Sequence, residues 1–263
     1  MLNPFGNSGL GFYSTEDSFD GADEFKEFDG EGVAFASGSA AGDGVFYVIG
    51  SHGCSRNKDE FRPSSFLLAR LPVDSAGRFG KVELTWRVSE ALRRAPPDLS
   101  SKFGKSLMED DGLNIEGVAA IGDRLLFGLR APSRDEMGYV LSVPVAELFA
   151  PGAGEAVGEP VVHELPLGED AGIRDLATLP DGKLLVLSGP TLDQPTVPYA
   201  LSVYDPGTND HRWLARLVDI HSGESRAKAE AVIVLSRDDE ALRVLVMFDG
   251  IQNGGPQEYR LRY

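Results

Sequence analysis

Short apolar runs rich in β-branched and aromatic residues, set apart by glycine, proline and aspartate, fill most of the chain. Two of them, Asn114–Ile121 and Arg124–Arg130, are joined by Gly122-Asp123 and read as a strand hairpin. An acid opens the first strand and a base ends the second. Variants recur where Glu31-Gly-Val-Ala34 runs on to Val45–Gly50, and where Arg174-Asp-Leu-Ala177 runs on to Lys183–Ser188. A fourth pairs Ala229-Glu-Ala-Val232 with Arg243–Phe248.

Further strands are expected after each hairpin. They are Phe66–Leu71 and Lys81–Val88, Tyr139–Val143 and Val161–Leu165, Ala200–Tyr204 and Arg212–Leu217, and Tyr259–Tyr263 alone at the end. Ser89–Arg94 reads as a helical turn opened by a Ser cap and stopped before Pro96-Pro97, with another helical piece near Val145–Phe149. The acidic positions Glu31, Glu116, Asp175 and Glu230 lie 85, 59 and 55 residues apart. Units of about four strands at that spacing predict an all-β fold, a β-propeller. Four blades are recognisable, at about 31–88, 114–167, 173–219 and 228–263, with an insertion at 89–112, all in one domain over 1–263. The last unit lacks a fourth strand, so an N-terminal strand within 1–30 is expected to close it; a fifth blade follows if that segment pairs with an outside partner. A β-sandwich is the competing architecture, but it leaves matched hairpins at matched spacing without a reason.

Composition adds mostly exclusions. With 41 acidic and 25 basic residues the formal charge is −16, which repels nucleic acid and anionic lipid and concentrates cations. Cys54 is the sole cysteine, so no intrachain disulfide can form. The start, Met1–Gly6, lacks the pattern of a signal peptide, and no apolar run is long enough to span a bilayer. A soluble, cytoplasmic protein without nucleic-acid or membrane partners is expected. Eight acidic residues and one Lys lie between Glu16 and Glu31, but Asp17, Asp20 and Asp23 do not follow a calcium-loop spacing.

Candidate chemistry comes from the ends of the hairpins, where the start of one strand and the end of the next share an edge. That places Glu116 beside Arg130, Glu31 beside Ser51-His52, Asp175 beside Gly189–Thr191, and Glu230 beside Asp249. If the first strands line an axis, Glu31, Glu116, Asp175 and Glu230 converge at one mouth as candidate metal ligands. Clustered carboxylates need a counter-charge. Either Ca²⁺ or another divalent cation provides it, or Arg56, Arg130, Arg174 and Lys228 do, the first three also being candidate ligand-binding residues. A purely structural reading stands beside this, in which the acids hold the blades in register. His52, in the polar run Gly50–Asn57, is the candidate proton carrier, while His163, His211 and His221 are expected at the surface. No Gly-x-Ser-x-Gly, His-Glu-x-x-His or phosphate-loop motif occurs. Two function classes follow: a propeller that holds a small molecule, cation or protein partner at its mouth, or a metal-dependent hydrolase.

Four segments, Asn114–Ala119, Gly50–His52, Gly128–Pro132 and Ile173–Ala177, resemble in order the motifs of an uncharacterised bacterial family described as a domain of unknown function. Ala131 stands where that family often has Gly. Its members carry further propeller sequence before the first motif, which implies a chain short by a blade. More distantly, the Glu-Gly-Val-Ala strands resemble those of esterase-like phytase and lactonase-type propellers. That likeness implies a divalent cation in the channel and hydrolysis of an ester, lactone or phosphoester, although the full Asn, Asp and Glu ligand set of the lactonases is lacking.

Overall fold

The computed structural model describes residues 28–38, 42–54, 62–152, 156–238 and 240–263. Four antiparallel sheets form a four-bladed β-propeller. The first blade holds β1 (Gly30–Ser37), β2 (Gly44–Gly50), β3 (Leu68–Val73) and β4 (Glu83–Thr85). The second holds β5 (Asn114–Ile121), β6 (Arg124–Ala131), β7 (Met137–Pro144) and β8 (Val161–Pro166). The third holds β9 (Ala171–Thr178), β10 (Leu184–Pro190), β11 (Ala200–Asp205) and β12 (Asp210–Arg216). After the small hairpin of β13 (His221–Ser222) and β14 (Ser225–Arg226), the last blade has three strands among the described residues, β15 (Lys228–Arg237), β16 (Ala241–Asp249) and β17 (Gln257–Arg262). The expected closing strand within 1–30 falls almost wholly outside the described residues; Gly30 itself opens β1 and pairs with Gly50.

The first strand of each blade is innermost: β1 packs on β5, β5 on β9 and β9 on β15. Their registers are equivalent. Gly32, Gly117, Asp175 and Ala231 pair with Ile49, Gly128, Leu187 and Met247. The residue just before each, Glu31, Glu116, Arg174 or Glu230, is left out of the ladder as a β-bulge. Beyond the bulge, side chains alternate between the two faces. Val118, Leu176 and Val232 face the preceding blade, whereas Ala34, Ala119 and Ala177 face the following one.

The glycines set how closely blades approach. A Cβ on Gly32 would sit 3.1 Å from the Val118 amide nitrogen, and one on Gly117 would sit 3.0 Å from that of Leu176. Asp175 occupies the same position in the third blade and spans to the fourth with its side chain: Oδ2 accepts from the Val232 N–H at 2.8 Å. A close backbone approach at two interfaces is thus replaced by a carboxyl side-chain bridge at the third.

Core packing follows these interfaces. One apolar cluster joins the first two blades and the insertion through Ile49, Leu92, Val118 and Leu129. A second joins the second and third blades through Leu126, Ile173 and Val186. A third joins the last two through Leu187, Leu201 and Val244. Among the described residues no blade lies on the two outermost faces, and Val33 and Phe35 on one, Ile233 and Leu235 on the other, are exposed.

Several expected elements move. Helix α1 spans Arg87–Arg94 with Trp86 at its N-cap and no side-chain cap, so Ser89 lies inside it. The expected strand at Lys81–Val88 shrinks to β4 because this helix claims its end. Thr85 Oγ1 accepts from the Arg87 N–H and donates to the Leu148 carbonyl, fixing the strand-to-helix corner. The insertion continues through α2 (Pro97–Ser100) and α3 (Leu107–Asp110), and α4 covers Val145–Leu148. Strand β3 begins at Leu68 because a 3₁₀ turn occupies Pro63–Phe66. No described helix is long and apolar enough to cross a membrane.

Candidate functional site

The bulges at the start of the inner strands bring Glu116, Arg174 and Glu230 together, and Arg130 joins them from β6. Arg130 ends β6 opposite the start of β5, where Asn114 pairs with Ala131 and Ile115 with Leu129. Its Nη1 donates to Glu116 Oε1 at 2.7 Å, and its Nε donates to the Thr191 carbonyl of the third blade at 2.6 Å. Arg174 Nη1 lies 2.9 Å from the second Glu116 oxygen, and Arg174 Nη2 donates to the Glu230 carboxylate. The sequence Arg130–Glu116–Arg174–Glu230 is therefore a continuous run of alternating charge across the second, third and fourth blades.

Burial sets its electrostatics. The side chains of Arg130, Glu116 and Arg174 are 2%, 3% and 2% exposed, whereas Glu230 is 32% exposed. Burial pushes the Glu116 carboxyl upward, and Arg174 and Arg130 oppose that shift. Burial also opposes the charge on Arg174, but Glu116 and Glu230 outweigh it and hold the guanidinium firmly protonated. Tyr199 packs over Gly189, where a Cβ would meet its ring at 2.4 Å and the Arg174 Cγ at 3.2 Å. The missing side chain at Gly189 lets the ring wall in the guanidinium.

The structure redistributes the expected roles. Asp175 was expected beside Gly189–Thr191, but it pairs with Leu187, and the bulge places Arg174 at the position that Glu116 holds in the second blade. Aligning Ile173-Arg-Asp-Leu-Ala177 on Ile115-Glu-Gly-Val-Ala119 exposes this in the sequence; the spacing of acids conceals it. Both Asp175 oxygens accept backbone N–H groups, from Leu176 at 2.8 Å and Val232 at 2.8 Å. Burial nevertheless raises its pKa to about 8, with those two N–H bonds opposing. Glu31 occupies its bulge in the first blade and is partly exposed. Arg56 lies outside the described residues. Lys228 pairs with Asp193 at 2.8 Å.

His52 is fully buried, in a left-handed conformation with φ of 51°. Its Nδ1 lies 3.0 Å from the Gly50 carbonyl, so the ring donates there, and its edge packs on Phe66. The second ring nitrogen, Nε2, is buried without a hydrogen-bond partner among the described residues. Burial lowers its pKa to about 4, against the effect of the Gly50 bond. His163 is also interior, contrary to expectation: its Nδ1 is 2.8 Å from the Tyr204 hydroxyl, which joins β8 to β11. His211 is half-buried against Trp213, and His221 is exposed.

The divalent cation implied by the lactonase likeness can be tested on these groups. Such an ion wants several carboxylate or carbonyl oxygens turned toward one point. Here Glu116 and Glu230 turn toward guanidinium groups and Asp175 toward backbone N–H groups. Among the described residues, no group of three or more His, Cys, Asp or Glu side chains is gathered to hold a metal. The donor set does not fit a tightly held metal ion.

Fold and site together define a four-bladed β-propeller with a buried arginine–glutamate run at the convergence of its inner strands. The chain belongs to the family described as protein of unknown function (DUF3616), which matches residues 101–259, more than half of its length. That match takes in the second and third blades and most of the last, and leaves β1–β4 outside it. Comparison with curated proteins gives no match.

Proposed function

We propose that the propeller is a binding protein, and that its mouth takes a small organic cation, an alkylammonium group, at Glu230. One observation carries this reading: of the four linked charges, only Glu230 reaches solvent. Both of its carboxylate oxygens accept from Arg174 Nη2, so the group is held in place while 32% of its side chain reaches solvent. A carboxylate fixed in this way loses little freedom on binding, so an incoming ammonium finds a preorganised acceptor. The charge of −16 favours the approach of a cation.

Metal-dependent hydrolysis would ask His52 to exchange protons near neutrality, and its buried ring near pKa 4 with Nδ1 engaged does not support that role. The test is calorimetric titration of the folded protein with putrescine. Saturable binding is expected for the wild type and its loss for Glu230→Gln, with circular dichroism confirming that the variant is folded. Equal affinity in both proteins contradicts the reading. A Ca²⁺-dependent rise in melting temperature that Glu230→Gln removes would favour a metal at this mouth instead.

A further inference from the structure

A cleft of about 760 Å³ opens on the third blade, between the loop joining β8 to β9 and the face of β11 and β12. None of its lining residues belongs to the charge run at the mouth. Its volume lies in the range of small-molecule sites. Small side chains create the space: Ala171, Ser188, Ala200 and Ala215 line it where larger ones would fill it.

Its aromatic wall is Trp213, which is 47% exposed, whereas the other tryptophan, Trp86, is 6% exposed. The Trp213 ring is held edge-on by His211, with centroids 5.0 Å apart, so a stacking surface is already positioned. Its ladder partner on the same face of the sheet is Ser202, fully buried, whose hydroxyl has no hydrogen-bond partner among the described residues. The charged residues of the cleft come from two different elements and have opposite sign. Glu169 and Asp170 lie on the β8–β9 loop, and Arg216 ends β12.

We infer that this cleft binds a zwitterionic aromatic amino acid. The ring lies against Trp213, the ammonium group meets the acidic loop, and the carboxylate meets Arg216. Each part of the lining then has a counterpart in the ligand, which a simple amine or a simple acid does not supply. Asp170 also shapes the loop, since its carbonyl accepts the Thr191 N–H at 2.9 Å and its φ is 56°, so Glu169 is the better acid to alter.

The experiment is calorimetric titration of the full chain with L-phenylalanine, 2-phenylethylamine and 3-phenylpropionate. Saturable binding of L-phenylalanine is expected, with each of the other two about tenfold or more weaker for want of one charged hydrogen bond. Glu169→Lys and Arg216→Glu should each weaken L-phenylalanine by a similar factor. Thr196→Phe, at an exposed lining position, should block the cleft without entering the core. Glu230→Gln should leave this binding unchanged, which separates it from the mouth. The inference is overturned if L-phenylalanine gives no saturable heat, if the three probes bind alike on the wild type, or if Thr196→Phe binds as the wild type does.

Discussion

The tetrapeptide Glu-Gly-Val-Ala occurs twice, at Glu31–Ala34 and Glu116–Ala119, in the same position of the first and second blades. Val118 is 1% exposed and Val33 is 60% exposed. The residues, strand type and register are the same; only the neighbouring blade differs. Val118 faces the first blade, whereas Val33 faces outward from it. The mirror case is at the other end, where Ile233 holds the place of Ala119 and is exposed. Burial here is a property of position in the array of blades, and interior blades owe their cores to neighbours on both sides.

The charges at the middle should break this comparison most strongly. Arg174→Met leaves Glu116 and Glu230 without their shared partner, one of them fully buried, and should cost about 3–5 kcal/mol in urea unfolding. Arg243→Met removes an exposed pair with Glu258 on the outer face of the last blade and should cost under about 1 kcal/mol. Similar losses from both variants would show that the middle charges are no more integral than those at the end.

The valines make the same point without charge. Val118→Ala should cost about 2 kcal/mol from lost apolar burial, and Val33→Ala should stay within about 0.5 kcal/mol. Equal effects in thermal or urea unfolding would mean that the first blade's outer face is covered in solution.

Much of the architecture was legible because a hairpin with an acid before Gly-Val-Ala recurs, and recurrence is a local property of sequence. The β-bulge was not legible from spacing. One extra residue moves Arg174 into the role expected of Asp175, and counting acids along the chain cannot reveal which residue leaves the ladder. His52 misled for another reason. Its polar neighbours in sequence suggest an accessible loop, yet its surroundings in space are Phe66 and backbone. The cleft beside Trp213 had no signal at all, since it depends on small residues from separate strands facing one loop. The pairing of Glu116 with Arg130, by contrast, follows from hairpin geometry alone.

Two smaller effects concern pH. Asp175 has a folded pKa near 8, above its ordinary 3.8, so the folded state holds the proton more tightly. Its contribution is fully present below about pH 4, erodes as the pH rises toward 8, and is level beyond. Asp175→Asn should flatten stability across that window while losing one N–H acceptor. Urea midpoints measured from pH 4 to 9 that run parallel in the two proteins would contradict the buried, protonated state. His52 has the opposite sign: its neutral ring stabilises above about pH 6.5, and that is lost as the pH falls toward 4. His52→Asn, which tolerates the left-handed backbone, should lessen the acid sensitivity modestly. An unchanged acid limb would place the ring in contact with water.

The most direct test of the account is a double-mutant cycle between Glu116 and Arg174, using Glu116→Gln, Arg174→Met and both together, followed by urea unfolding. The buried run of alternating charge predicts strong coupling, about 2 kcal/mol, with the double variant far less unstable than the sum of the single ones. Additive losses would contradict it, because they would mean that the two side chains do not act on each other across the second and third blades.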